Sequence, residues 1–334
     1  MADSPTLLVM GAGSWGTALA SLLARNGHPT VLWGRSADAM QAMRDAKENA
    51  RYLPGLPLPD CLQFTSDLQP ALASCEGVLL GVPTNAFSST LDVLSPTLRD
   101  DQTLMWACKG LDSGSGRLLH AIVHERLGEH RPSALISGPT FAAELAANQP
   151  TAATVAAFDL NVAERVARWL HGDNFRAYST DDMVGVEVGG ALKNVFAIAA
   201  GISDGLGFGS NARAALITRG LAELMRLGVA MGARPETLMG LSGMGDLVLT
   251  CTDDQSRNRR FGLCLARGLS VQAALDEIAQ VVEGVKTTGD AQKLAQQYGV
   301  EMPIVQEVHA VIADGKSPRA AVRDLLSRTP KQET

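Results

Sequence analysis

Lys193 and Asn194 interrupt an otherwise apolar run, Gly189-Gly190-Ala191-Leu192 on one side and Val195-Phe196-Ala197-Ile198-Ala199-Ala200 on the other. An ammonium and a carboxamide buried there without partners would be costly, so both are expected to line an internal polar cleft. A lysine that buries only its stem is the alternative. At the other end of the chain, Gly11-Ala12-Gly13-Ser14-Trp15-Gly16 follows a short apolar run and opens a helix, the arrangement of a dinucleotide turn. Gly11 would make the turn, Gly13 would let backbone approach a pyrophosphate, and Gly16 would permit close helix–strand packing. Unpaired amides at the helix start would face the phosphates.

The residues that follow bear on which dinucleotide is held. Val31-Leu32-Trp33-Gly34-Arg35-Ser36 lacks the carboxylate that usually accepts from the ribose 2′-hydroxyl in NAD-specific proteins. Arg35 is placed instead to pair with a 2′-phosphate, which favours NADPH and leaves NADH open. A solvated loop arginine is the other reading.

Three further segments carry polar groups suited to a small anionic ligand. Lys109, in Trp106-Ala107-Cys108-Lys109-Gly110, is released at the end of a buried strand, where ligands of open α/β sheets gather. Ser137-Gly138-Pro139-Thr140 offers amides and a hydroxyl at another strand end, although a structural turn explains Gly138 and Pro139 equally well. Ser256-Arg257-Asn258 precedes a helical run, and a helix start bearing Arg257 and Asn258 is suited to a phosphate. Arg259 and Arg260 are read as a solvated helix start. Leu241-Ser242-Gly243-Met244-Gly245-Asp246 presents the carboxylate of Asp246 from a flexible turn. His120 and His124, four apart on a helix, lack a third ligand nearby and are read as surface histidines, so no metal is expected.

These residues need a scaffold. Short apolar runs at residues 6–10, 30–33, 78–82, 103–107 and 134–137 read as buried strands separated by helical segments, the first helix covering 14–26. Residues 151–157 and 175–179 suggest further strands around a helix at 161–170, in an order that periodicity does not fix. Such alternation implies βαβ units and a parallel sheet. From about residue 181 strand-like runs give way to helical periodicity, ending in a polar tail at 329–334. The expected fold class is therefore α/β: an N-terminal Rossmann-type dinucleotide-binding domain at 1–189, followed by an all-α C-terminal domain at 190–334.

Composition narrows the function classes. The 334 residues carry a net charge of -6, so there is no overall attraction to nucleic acid or anionic membrane. The five cysteines are scattered, without disulfide-framework or zinc spacing. The N-terminus lacks a signal-peptide pattern, and the longest apolar stretch, 191–202, is read as too short to span a bilayer. No stable membrane insertion and no nucleic-acid partner are expected.

The segments GAGSWGTALA, CKG, SGPTFAAE, GGALKNVFAIAAGI, LSGMGDL, SRNRRFG and VVEGVKT, in this order and spacing, closely resemble the bacterial NAD(P)-dependent sn-glycerol-3-phosphate dehydrogenases from end to end. The resemblance implies that Lys193 donates and accepts the proton in interconverting dihydroxyacetone phosphate and glycerol 3-phosphate. It implies substrate contacts by Lys109, Gly138, Thr140, Lys193, Asp246, Ser256, Arg257 and Asn258. It also implies cofactor contacts by Ser14, Trp15, Arg35, Lys109, Ala142, Arg257, Val281 and Glu283, beside Gly11, Gly13 and Gly16. Cytoplasmic homodimers supplying glycerol 3-phosphate for phospholipid synthesis are implied as well. Many β-hydroxyacid dehydrogenases carry Gly-xxx-Lys-xxx-Asn on the equivalent helix; Gly189 and Lys193 fit that pattern, but the fourth residue past the lysine is Ala197. That departure argues against a 2-oxo or 3-oxo acid reductase on the same scaffold. A redox-sensing protein that holds NADP without turnover would have no need of Lys109 and Lys193.

Overall fold

The protein is described here by a computed structural model covering residue 4 and residues 6–328. The chain forms two compact units, Met1–Glu187 and Val188–Thr334. The first begins β1 (Leu7–Met10), α1 (Ser14–Arg25), β2 (Thr30–Trp33), α2 (Ala37–Ala46), β3 (Gln63–Thr65), α3 (Leu68–Ser74) and β4 (Gly77–Leu80). A short 3-10 turn leads to α4 (Phe87–Leu94), β5 (Thr103–Trp106), α5 (Leu119–Leu127) and β6 (Ser133–Ser137). Then come α6 (Ala142–Ala146), β7 (Thr151–Ala156), α7 (Leu160–Leu170) and β8 (Phe175–Thr180), and α8 (Met183–Gly205) crosses into the second unit.

The strands form one eight-stranded sheet in the order β3-β2-β1-β4-β5-β6-β7-β8. β1 pairs in parallel with both β2 and β4, Leu7 opposite Thr30 on one side and Gly77 on the other. The strand order therefore reverses at β1, and the crevice beyond the C-terminal ends of β1 and β4 is the place where open α/β sheets take ligands. All neighbours are parallel except β6 and β7, which run antiparallel. The central strands β1 and β4 carry only apolar residues and glycine, because both faces are covered. Leu7 and Val9 enter one core cluster, while Leu8 and Met10 enter the other. This is the period-2 alternation of a strand applied to two buried faces.

β3 and the helix before it have weak sequence signals. Only Phe64 of β3 is buried, and α2 buries only Met40 and Met43. Between them residues 47–62 make an excursion without a strand or helix of their own, held to the core by Leu53, Leu58 and Leu62.

The second unit is entirely helical among the described residues. After α8 come α9 (Ser210–Ala230), α10 (Pro235–Leu238), a π-helical turn at Leu241–Gly245 and α11 (Asp246–Thr252). They are followed by α12 (Arg257–Ala266), α13 (Val271–Ile278), α14 (Glu283–Gln297), α15 (Pro303–Ala313) and α16 (Pro318–Leu326). The whole is thus a Rossmann-type α/β unit followed by an all-α unit, the fold class expected from the sequence. The polar tail at 329–334 lies outside the described residues.

The apolar stretch at 191–202 lies within the longer, 23-residue α8, which is long and apolar enough to cross a membrane by length and composition alone. Its most apolar window is 94% buried in the protein, as a core helix would be. Glu223 of α9, 3% exposed, accepts hydrogen bonds from the amides of Ile304 (2.8 Å) and Val305 (3.3 Å), which lie in the first turn of α15. Burial pushes its carboxyl up to about 7, while the two amides act in the opposite direction.

Candidate active site

In the first unit the glycine-rich turn is shaped by close backbone approach. Gly11 has a φ of +112°, and a Cβ there would lie 2.9 Å from the carbonyl oxygen of Gly81, just past β4. A Cβ on Gly16 would lie 1.9 Å from the Gly11 oxygen, so the turn is folded against itself. Gly13 differs: nothing lies within 4 Å of the position its Cβ would take. Gly13 is also the N-cap of the twelve-residue α1, and no side chain caps that helix start. Open space above a glycine, beside uncapped helix amides, fits the pyrophosphate of a dinucleotide.

Ser14 and Trp15, both half-buried, form the first turn of α1, and the indole Nε1 of Trp15 donates to the carbonyl of Ala107 at 3.2 Å. Arg35 is exposed just past β2. Next to it Ser36 caps α2, its hydroxyl accepting from the amide of Ala39 at 3.2 Å.

At the ends of β5 and β6, three sequence-selected residues meet. Lys109 Nζ donates to the carbonyl of Gly138 at 2.8 Å, and Thr140 Oγ1 donates to the same oxygen at 3.2 Å. Thr84 in turn donates to the carbonyl of Lys109 at 2.9 Å. Gly138 is required by packing, because a Cβ there would sit 2.9 Å from Cα of Ala153 in β7. Ala142, half-buried, begins α6.

The second unit assembles its own polar cluster around α8. Lys193 and Asp246 form an ion pair, with exposures of 7% and 1%. Thr250, one turn along α11, donates to the backbone oxygen of Asp246 at 2.6 Å, and its hydroxyl lies 3.4 Å from Oδ1 of the carboxylate. Asn194 Oδ1 accepts from Asn258 Nδ2 at 2.9 Å, and Asn194 Nδ2 donates to Glu283 at 3.3 Å. Oδ1 of Asn258 accepts from the amide of Gly284 at 2.8 Å. Ser256 caps α12 by accepting from the amide of Arg259 at 3.2 Å, and the half-buried Arg257 stands in its first turn. Val281 is 48% exposed immediately before α14, whose first residue is Glu283.

Glycines allow these elements to come so close. A Cβ on Gly189 would lie 2.5 Å from the Ser242 oxygen in the π-helical turn, and one on Gly201 would lie 2.0 Å from the Arg259 oxygen in α12. Helix α8 thus lies backbone against backbone on the two segments that carry Asp246 and Asn258.

Three expectations are corrected. Asp246 leaves no flexible loop; it follows a π-helical turn and is buried in the first turn of α11. Such turns recur at functional sites. Arg259 is no solvated helix start: it is buried, bonded to Asp204 at 2.6 Å and paired with Asp254, and Asp204 also pairs with Arg213. A guanidinium with two carboxylate partners tolerates burial that a lone one would not. His120 and His124 are half-buried, and His120 is paired through Nδ1 with the buried Glu187, whose carboxylate also accepts from the His120 amide at 3.0 Å. No group of metal-ligating side chains is found among the described residues.

Sequence reasoning passed over Thr250 and Asn49. Thr250 had a usable signal, since i and i+4 share a helix face. Asn49 had none.

Comparison with known proteins accounts for both units. Residues 6–163 match the family model for the NAD-dependent glycerol-3-phosphate dehydrogenase N-terminus, and residues 182–323 match that for the C-terminus. Glycerol-3-phosphate dehydrogenase (NAD(P)+) of Thioalkalivibrio sulfidiphilus is 58% identical over 331 residues, 99% of each chain. That of Pectobacterium carotovorum is 54% identical over 334 residues, 100% of this chain and 98% of the other. The crystal structure of glycerol-3-phosphate dehydrogenase from Coxiella burnetii superposes with a TM-score of 0.92 at 46% identity, covering 97% of this chain and 99% of that one. The chain belongs to the NAD-dependent glycerol-3-phosphate dehydrogenase family.

Proposed function

We infer that this protein interconverts dihydroxyacetone phosphate and sn-glycerol 3-phosphate with NADPH or NADH. The observation that carries the chemistry is the buried pair of Lys193 and Asp246 in a chain whose relatives bear that name. NAD(P)H, when bound, supplies the hydride that reaches the ketone carbon of the substrate. Lys193 gives a proton from Nζ to the carbonyl oxygen as it becomes a hydroxyl, and takes that proton back in the oxidation. Asp246, buried against Lys193, holds its Nζ in place. Thr250 donates to the backbone oxygen of Asp246 and so braces the turn of α11 that carries this carboxylate.

The remaining assignments divide by unit. Residues 1–189 act as the dinucleotide-binding domain and 190–334 as the catalytic domain. Gly11, Gly13, Ser14, Trp15, Gly16, Arg35, Lys109 and Ala142 hold the cofactor from the first domain, joined by Arg257, Val281 and Glu283 from the second. Arg35, exposed past β2, selects NADPH by its 2′-phosphate. Lys109, Gly138 and Thr140 contact the substrate from the ends of β5 and β6. Asp246, Ser256, Arg257 and Asn258 do so from α11 and α12, with Arg257 at a helix start suited to the phosphate. We place the enzyme in the cytoplasm as a homodimer that supplies glycerol 3-phosphate for phospholipid synthesis.

The test is a spectrophotometric assay of NADPH oxidation by the purified protein. Dihydroxyacetone phosphate should be reduced, and a 2-oxo acid of similar size should not. Oxidation with the acid alone would move the protein to the acid-reducing branch.

A further inference from the structure

One buried side chain of the first unit belongs to none of these assignments. Asn49, 3% exposed, lies at the start of the excursion between α2 and β3. Its Nδ2 donates to the carbonyl of Ala12 at 3.1 Å and to the hydroxyl of Thr17 at 2.8 Å. Ala12 stands between Gly11 and Gly13 in the glycine-rich turn, and Thr17 is in the first turn of α1. One carboxamide therefore ties the turn to the helix that the turn opens.

The excursion is built to hold that carboxamide in place. Lys47, ahead of it, is in the left-handed region at φ 52° and pairs with Asp60 at 2.6 Å. The Glu48 carboxylate accepts from the amide of Gly55 at 2.8 Å, and the amides of Tyr52 and Leu53 donate to the carbonyl of Asn49. Leu53, Leu58 and Leu62 anchor the segment in the core that also contains Leu19, Leu22 and Leu23 of α1. Anchored at both ends, Asn49 approaches the turn from a direction that neither β1 nor α1 supplies.

We propose that Asn49 is a positioning residue for the cofactor: its two hydrogen bonds fix the Ala12–Gly13 peptide and the first turn of α1 in the orientation that receives the dinucleotide pyrophosphate. Backbone amides bind an anion well only when they are held convergent before it arrives. Gly13 has the freedom of a residue without a Cβ, and nothing packs against the position its Cβ would take, so its neighbours must supply the restraint. Asn49 supplies it. The proposal rests on the reading that Gly11–Gly16 holds NADP(H).

The experiment compares Asn49→Asp, Asn49→Ala and Thr17→Val with wild type. NADPH affinity is titrated by cofactor fluorescence well below each Tm, beside steady-state kinetics. Asn49→Asp keeps the shape and removes the donor. Loss of one buried hydrogen-bonding partner predicts about tenfold weaker NADPH binding in both Asn49 variants. At saturating NADPH, kcat and the KM for dihydroxyacetone phosphate should stay within about twofold, since neither depends on how the turn is pre-set once the cofactor is bound. Thr17→Val retains the bond to Ala12 and should weaken NADPH less than about threefold.

Wild-type NADPH affinity in folded Asn49→Asp, with only a lower Tm, would overturn the proposal and leave Asn49 a packing residue. If the Asn49 variants do not fold, hydrogen exchange on wild type decides. NADPH should then protect amides at 47–53 together with those at 13–17, and protection confined to 13–17 would overturn the link. Failure of the wild-type protein itself to bind NADPH would instead remove the cofactor reading on which the proposal stands.

Discussion

Two single cations, Arg35 and Arg257, are proposed to do the discriminating in this protein, and each can be tested against the group it is proposed to meet. Arg35 faces solvent past β2, with no carboxylate at the strand tip to accept from a 2′-hydroxyl. Arg35→Asp should turn preference from NADPH toward NADH, since the new carboxylate repels a 2′-phosphate. A charge-assisted hydrogen bond is worth roughly 1.5–3 kcal/mol, about ten- to a hundredfold in the ratio of the two kcat/KM values. An unchanged ratio would return Arg35 to the status of a loop residue. Arg257 is tested by its substrate. Arg257→Ala should raise the KM for dihydroxyacetone phosphate by a comparable factor, and the weaker activity on unphosphorylated dihydroxyacetone should hardly change. Equal proportional losses on both would withdraw the phosphate contact and leave Arg257 to the cofactor or the fold. Asn258 has a different standing: both ends of its carboxamide are already engaged, by Asn194 and by the Gly284 amide, so any substrate contact must use its remaining hydrogen or lone pair.

At the scale of elements, α8 packs closer to its neighbours than side chains would allow, and elsewhere in the same unit one buried carboxyl joins two helices. Glu223 links α9 to the first turn of α15. Its carboxyl is raised from 4.5 to about 7 by burial, so in the interval between those values the folded protein holds a proton that the unfolded chain has lost. Stability from this group is therefore greatest at low pH and declines as pH rises through 7. Glu223→Gln carries no charge at any pH. Measured by denaturant unfolding, wild type should lose stability relative to this variant between about pH 5 and pH 8, by at most about 3 kcal/mol. A difference that stays constant with pH would show that the carboxyl titrates alike in both states. The π-helical turn belongs to this scale too, because it sets Asp246 at the start of α11 against Lys193.

For the molecule as a whole, the legible part of the sequence was the part governed by local pattern. β1, α1 and β2 are plain because a strand buried on both faces must be apolar and a dinucleotide turn must carry glycines in fixed places. β3 was missed because Phe64 is its only buried residue. Partners far apart in sequence leave no such trace: Asn49 meets Ala12 across 37 residues, Asn194 meets Asn258 across 64, and the burial of Arg259 depends on Asp204, 55 residues away. Motifs could name the candidate residues, but only the packed helices show which ones touch. The proposed division of labour, with the cofactor held mainly by the first unit and the proton by Lys193 of the second, makes the most direct test a variant that separates them. Lys193→Met should lower kcat for dihydroxyacetone phosphate by about 10²–10⁴, the usual contribution of a positioned acid, while its Kd for NADPH stays within about twofold of wild type. Near-normal turnover in that variant would contradict the account and take Lys193 out of the reaction.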